Sequence, residues 1–108
     1  MTSETSEATI RTEDGRTLRY FRCLNAEGTS WVRHGPFVET FVDGQVASEG
    51  NYEHGRESGR WRDFYSSGHV AAEGTYVDGK EQGLWRFWDE AGKQERTVHY
   101  RDGVEISS

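Results

Sequence analysis

The sequence predicts an all-β protein: a single meandering antiparallel sheet of stacked β-hairpins, twisted or curled. Three observations lead to this prediction. A period of 24 residues runs through the chain from about residue 35. Within each unit, ring or small residues alternate with polar ones, which is the pattern of a half-buried strand. Dipeptides that end in glycine, such as Asp43-Gly44 and Asp78-Gly79, separate the alternating segments and are typical of tight hairpin turns.

The interior of such a sheet is predicted to be aromatic rather than aliphatic. Only 32 % of the 108 residues are hydrophobic, whereas 13 % are aromatic, with 4 Trp, 5 Tyr and 5 Phe. Each buried ring removes roughly 150 to 250 Å² of surface from water, so a few rings can replace many aliphatic side chains. The length allows one modest domain.

Three repeats are predicted to follow an N-terminal hairpin. We expect residues 1–7 to form a disordered acidic tail and residues 8–108 to form a single β-meander domain. Within it, a hairpin at residues 8–33 turns at Asp14-Gly15, and residues 25–28 link it to the repeats at 35–58, 59–82 and 83–106. Each repeat contains a glycine, a ring two residues later, a second glycine, a tyrosine and a last glycine. These anchors are Gly35, Phe37, Gly44, Tyr52 and Gly55; Gly59, Trp61, Gly68, Tyr76 and Gly79; and Gly83, Trp85, Gly92, Tyr100 and Gly103.

Counting outward from two-residue turns predicts which residues face each other across the sheet. Around Ser67-Gly68 the count pairs Trp61 with Gly74 and Tyr65 with Val70. The same count pairs Phe37 with Gly50, Phe41 with Val46, Gly35 with Tyr52 and Gly83 with Tyr100, and it places Ala72 beside Trp85. Large rings therefore lie opposite glycines. We expect each ring to cover the bare backbone of the glycine that it faces, an arrangement called aromatic rescue.

The order of these anchors resembles a known repeat. The pattern Tyr-x-x-Gly-x-x-x-Gly-x-Trp-x-x-x-Tyr-x-x-Gly is complete at Tyr52, Gly55, Gly59, Trp61, Tyr65 and Gly68. It is similar to the MORN repeat, and more closely to the bacterial variant in small stand-alone proteins that are often labelled as antitoxins of toxin–antitoxin systems. The next copy departs from the pattern at Asp89, where a ring is expected, and Val98 replaces a glycine. The resemblance covers about residues 28–104 and implies a meander of hairpins that binds proteins and, in some relatives, phospholipid. It brings no catalytic residues.

The sequence offers no arrangement typical of an enzyme, a metal centre or a cofactor site. The four histidines, His34, His54, His69 and His99, show none of the close spacings that set two metal ligands on one face. We interpret them as solvated loop or strand residues, and Cys23, the single cysteine, as a half-buried strand thiol. Neighbouring acidic and basic residues are more typical of cross-strand pairs than of acid–base catalysis. We therefore expect no catalytic residues, no cofactor and no metal ligands.

The charge balance argues against nucleic acid as a partner. The chain has 13 Lys and Arg against 19 Asp and Glu, a net charge of −6, and binding to phosphates requires clustered basic residues. No apolar run is long enough for a membrane span or a signal peptide. We expect a cytoplasmic protein.

One face of the predicted sheet carries a candidate partner-binding patch, which consists of Arg62, Phe64, Arg86 and Trp88. These residues point away from the aromatic interior, on two strands separated by one other strand. Exposed rings beside arginines have the composition of an interface hot spot. The alternative is internal packing, with the N-terminal hairpin lying on this face or the sheet coiling until both faces are covered.

These patterns predict a non-enzymatic protein-interaction module built from MORN-type repeats. An antitoxin or immunity role would suit the acidic charge, which would steer the chain toward a basic partner protein. The alternative is a peripheral phospholipid-binding module, although anionic membrane surfaces attract clustered Lys and Arg rather than an acidic chain. Because a single sheet lacks a covering layer, we also expect it either to curl on itself or to form a homodimer.

Overall fold

The computed structural model describes residues 5–106, and within this range all regular secondary structure is β. The strands alternate with short turns along the whole range. They are β1 (Ser6–Arg11), β2 (Thr17–Leu24), β3 (Trp31–Thr40), β4 (Val46–Glu53), β5 (Arg56–Glu57), β6 (Gly59–Phe64), β7 (Val70–Val77), β8 (Lys80–Trp88), β9 (Gln94–Arg101) and β10 (Val104–Glu105). The predicted all-β fold is confirmed.

The strands form one open antiparallel sheet in which each strand lies beside the next in sequence. The order is β1-β2-β3-β4-β6-β7-β8-β9-β10, and the short β5 pairs with β4. The largest dimension is 45 Å, close to the roughly 40 Å that nine strands span at about 4.8 Å spacing. The N-terminal hairpin β1–β2 extends the sheet at its edge, so the alternative that it covers a face is wrong. Strand β1 includes Ser6 and Glu7, which corrects the expected boundary of the tail; residues 1–4 lie outside the described residues.

Two-residue turns occur where the chain passes from a tyrosine-bearing strand to the next repeat. They are His54-Gly55, Asp78-Gly79 and Asp102-Gly103. Both residues of each turn have positive φ, for example 49° at His54 and 87° at Gly55. This backbone matches the twist of the flanking strands, and Asp and His tolerate it better than most residues. Here the predicted turns are confirmed.

The hairpins that turn at Gly44, Gly68 and Gly92 have three-residue turns that end on this glycine of positive φ, and this changes the pairing near each turn. At Gly68, the Gly68 N–H donates to the carbonyl of Tyr65 and the Tyr65 N–H donates to the carbonyl of His69. Val70 therefore pairs with Phe64, and the predicted partner Tyr65 is wrong. Similarly, Val46 pairs with Thr40 rather than with Phe41. A bulge then restores the predicted register farther from the turn: Trp61 pairs with Gly74, Phe37 with Gly50, Gly35 with Tyr52 and Gly83 with Tyr100.

A larger bulge begins at the first glycine of each repeat. Between the pairs Thr75 with Gln82 and Glu73 with Arg86, three residues of β8 oppose Gly74 alone. Gly83 starts this bulge with a φ of 78°, a conformation that favours glycine. Because of the extra residues, Ala72 pairs with Phe87, and its predicted neighbour Trp85 is wrong.

The bulges aim each tryptophan ring at the preceding strand. The Trp85 ring lies over Gly74 and the Trp61 ring over Gly50, and a Cβ on either glycine would overlap the indole. Each indole N–H also donates to a backbone carbonyl of that strand, from Trp61 to Asn51 at 3.0 Å and from Trp85 to Thr75 at 3.1 Å. Ring-over-glycine packing is therefore present. However, Trp61 covers Gly50 rather than Gly74, its partner in register, which corrects the expectation.

Tyrosines fill the spaces between these rings. Neighbouring centroids lie 5.0 to 6.3 Å apart in edge-to-face arrangements, which favour contact between the positive edge of one ring and the negative face of the next. Along the sheet the rings are Phe37, Tyr52, Trp61, Tyr76, Trp85 and Tyr100, which we call the aromatic ladder. Phe37, Trp61 and Trp85 are only 5 to 8 % exposed although the sheet has one layer.

Candidate functional site

The face opposite the aromatic ladder carries a row of alternating charges. Register pairs join Glu49 to Arg62, Arg62 to Glu73 and Glu73 to Arg86 across four strands. Because register partners in an antiparallel sheet point to the same side, these four side chains share one face. We call Glu49, Arg62, Glu73 and Arg86 the charged row.

Arg62 is held by its neighbours in this row. Its guanidinium lies 3.4 Å from a carboxylate oxygen of Glu49 and 4.0 Å from one of Glu73, and it stacks 5.9 Å from the centroid of the Phe64 ring. Partly exposed ion pairs of this kind contribute about 0 to 1 kcal/mol each. Their main effect is to orient Arg62 along the sheet surface.

The predicted patch is brought to one surface, although its two rings are less exposed than the hypothesis required. Strands β6 and β8 lie on either side of β7 as predicted, so Arg62 and Arg86 flank Glu73. Phe64 and Trp88 are half-buried, and the Trp88 carbonyl accepts a hydrogen bond from the Tyr65 hydroxyl at 2.7 Å.

Sequence reasoning missed Leu84 as part of this surface. It is 41 % exposed, and with Glu73 and Arg86 it lines a shallow depression of about 110 Å³. The available signal was its spacing: Leu84 stands two residues before Arg86 and so points to the same side of β8. Among the described residues, Arg86 makes no ion pair, which leaves its guanidinium available beside an apolar side chain.

The aromatic-ladder face has a different character. The Arg33 guanidinium lies 4.9 to 5.5 Å from the ring centroids of Tyr20, Phe37 and Tyr52, and it hydrogen-bonds the Tyr52 hydroxyl at 3.3 Å. Burial, together with the carboxylates of Glu81 and Glu57, raises the pKa of Tyr76 to about 12. This face is therefore a packed surface of rings, with the Arg33 guanidinium stacked among three of them.

A further group of side chains meets where the first repeat joins the N-terminal hairpin. Cys23, His34 and His54 bring their ligand atoms within 4.8 Å of one another, and the two imidazole centroids are 4.5 Å apart. We call these three residues the Cys–His cluster. The spacing of the histidines along the chain does not signal this contact, because it forms between a strand and a turn rather than along one strand.

The described part of the chain contains no helix long and apolar enough to cross a membrane.

Comparison with known families supports the resemblance at one repeat. Residues 57–78 match the model of the MORN repeat variant. The matched segment contains β6 and β7, with Trp61 and Tyr76 of the aromatic ladder and Gly74, the glycine beneath the Trp85 ring. The chain thus contains a MORN-type repeat at this position, a repeat that suggests a module for interaction with proteins or lipids. No significant similarity links the chain to a curated protein or to a solved structure.

Proposed function

We propose that this chain is a non-enzymatic interaction module that binds another protein through the charged row and the apolar side chains beside it. The observation that carries the proposal is the single open layer: no described helix or second sheet covers the face that presents Arg86 and Leu84. An uncovered patch of rings, a leucine and an arginine has the composition of a protein-binding hot spot.

The partner is expected to be a basic protein. The net charge of −6 would speed its approach, and the fixed carboxylates of Glu49 and Glu73 would meet its lysines or arginines. An antitoxin or immunity role, with a basic toxin as partner, is the specific form that the sequence resemblance suggests. A partner protein fits the acidic surface better than a phospholipid headgroup does, because anionic lipid attracts Lys and Arg clusters.

Site-directed crosslinking followed by affinity measurement tests this proposal. A photo-crosslinking amino acid at Leu84 should capture a partner in the native cell, and the same group at Val42, an exposed turn residue outside the patch, should not. The captured protein is then purified and titrated by calorimetry. Arg86→Ala should weaken binding by about thirtyfold, the cost of a hot-spot residue. The matched control Arg101→Ala, an exposed arginine outside the charged row, should change the affinity by less than about twofold.

Two results would count against the proposal. Equal affinity of the Arg86→Ala variant and the native chain for the partner would show that the charged row is not part of the interface. Co-sedimentation with vesicles of phosphatidylserine and phosphatidylcholine at low salt, lost in the Arg86→Ala variant, would favour the phospholipid alternative instead.

A further inference from the structure

The Cys–His cluster lies on the same side of the sheet as the charged row, but nearer to the edge that β1 forms. Cys23 pairs in register with Val32 on β3, and His34 follows two residues later on the same side of that strand. His54 belongs to the two-residue turn after β4, and this turn is fixed against β3 by a hydrogen bond from the Gly55 N–H to the carbonyl of Arg33. Three separate segments therefore place the thiol and two imidazoles together.

Comparison of the first and third repeats shows that the fold itself does not require these imidazoles. At the turn of the third repeat, the N–H of Asp102 donates to the side-chain oxygen of Gln82, the residue just before that repeat, at 2.8 Å. At the equivalent turn of the first repeat, the N–H of His54 donates to Nδ1 of His34, the residue just before that repeat, at 3.0 Å. The turn residues His54 and Asp102 also have nearly equal φ, 49° and 50°. The same turn thus forms with Gln82 and Asp102 in place of the two histidines. Within the described residues, two imidazoles lie beside a thiol only at the turn of the first repeat.

We propose that the Cys–His cluster binds a borderline-soft divalent cation, Zn²⁺ or a close substitute, through Cys23 Sγ and one nitrogen of each of His34 and His54. Thiolate and imidazole are the ligands that Zn²⁺ prefers, and three protein ligands leave a fourth position for water or for a group on a partner. On binding, the Cys23 thiol gives up its proton to solvent, and the thiolate forms the bond to the cation.

The arrangement is close to the geometry that such an ion needs. Bonds of about 2.3 Å to sulfur and 2.0 to 2.1 Å to nitrogen hold tetrahedral ligand atoms roughly 3.3 to 3.6 Å apart. The three ligand atoms lie within 4.8 Å of one another, so side-chain rotations that move each atom by about one ångström bring them to these distances. Cys23 is only 1 % exposed, but the exposed His54 ring forms the outer side of the cluster and gives an ion a route from solvent.

Binding must displace one hydrogen bond. A neutral imidazole has a single unprotonated nitrogen, and in His34 that nitrogen, Nδ1, accepts the backbone N–H of His54. His34 therefore either exchanges this N–H for the cation at Nδ1 or moves its proton to Nδ1 and binds through Nε2. In both cases the amide of His54 loses its acceptor, which makes its NMR resonance a local reporter of metal binding.

Titration of the reduced full-length chain with Co²⁺ tests the proposal. Co²⁺ takes the same ligands as Zn²⁺ and, unlike Zn²⁺, gives a thiolate-to-metal charge-transfer absorption. We expect this band to saturate at one ion per chain, to disappear on addition of Zn²⁺, and to be accompanied by a shift of the His54 amide resonance. Cys23→Ser should abolish the band.

A second variant keeps the test valid if a change at the buried Cys23 impairs folding. His54→Asn removes an exposed imidazole while asparagine tolerates the positive φ of the turn, and it should weaken Co²⁺ binding by roughly tenfold or more. The control His99→Asn changes an exposed histidine outside the Cys–His cluster and should leave the affinity unchanged. Absence of a charge-transfer band in the folded chain, or equal binding by the His54→Asn and native proteins, would overturn the proposal.

Discussion

Replacement of Gly74 by alanine should destabilise the protein by about 3 kcal/mol, because the new methyl group would occupy the position of the Trp85 ring. A displaced ring loses its hydrogen bond to the Thr75 carbonyl, about 1 kcal/mol. It also loses edge-to-face contacts with Tyr76 and Tyr100, about 0.5 to 1.5 kcal/mol each. Elsewhere the same change would stabilise a strand by about 0.4 to 1 kcal/mol, since Gly74 does not have a positive φ. A loss of stability would therefore indicate that the Trp85 ring covers Gly74, and a gain would indicate that it does not.

Urea unfolding, followed by circular dichroism, measures this effect. The control is the same substitution in a Trp85→Ala background, where no ring remains to be displaced and Gly74→Ala should not destabilise the protein. The difference between the two backgrounds gives a coupling free energy of about 3 kcal/mol, near the upper end of values for residues in contact. If Gly74→Ala destabilises both backgrounds equally, or if it leaves the native chain as stable as before, the proposed packing of Trp85 on Gly74 is refuted.

Three further predictions follow from the two faces and the open edges. The pKa of Tyr76 is raised from 10.0 to about 12, so the unfolded chain ionises before the folded one does. The contribution of Tyr76 to stability should therefore be complete below pH 10 and lost as the pH rises to 12. Urea midpoints across this range should fall less steeply for Tyr76→Phe than for the native chain, and equal slopes would contradict the prediction. Arg62→Ala removes two ion pairs and should cost at most about 2 kcal/mol in low salt and less in about 1 M NaCl. A larger, salt-independent loss in the same assay would show that the charged row is more than a set of surface pairs. Light scattering at micromolar concentration should give twice the monomer mass of 12.4 kDa, since the open sheet has unpaired edges, and a strict monomer would count against the homodimer.

Most of the fold follows from the sequence because the same pattern of glycines and rings occurs in each of the three repeats. The glycine of each turn and the alternation of rings with polar residues fix strand position and sheet face together. A register error of one residue would move every ring to the wrong face. For this reason the pairs Trp61 with Gly74 and Gly83 with Tyr100, which lie far from the turns, are confirmed.

Details near the bulges could not be predicted by counting, since a bulge changes the count. Three-residue turns end on glycine, as two-residue turns also do, so Ser67-Gly68 and Asp78-Gly79 look alike in sequence although their turns differ. The bulge at Gly83 then inserts residues that no alternation pattern signals. These insertions decide which glycine lies beneath Trp85.

The candidate sites were predictable to different degrees. Arg62 and Arg86 occupy equivalent places in successive repeats, so their common face follows from the repeat alone. By contrast, the Cys–His cluster joins a strand of the N-terminal hairpin to a strand and a turn of the first repeat. Its members share no sequence spacing that a metal-binding motif would show, and only the docking of the turn at Gly55 against β3 brings them together.

Tryptophan rings that lie flat on the bare backbone of the preceding strand form the interior of this sheet, and proton NMR observes this contact directly. We predict that the α-protons of Gly50 and Gly74 are shifted strongly upfield by ring currents and show nuclear Overhauser effects to the ring protons of Trp61 and Trp85, respectively. Glycine α-protons at unshifted positions, or ring contacts from Trp61 to Gly74 in place of Gly50, would contradict this packing.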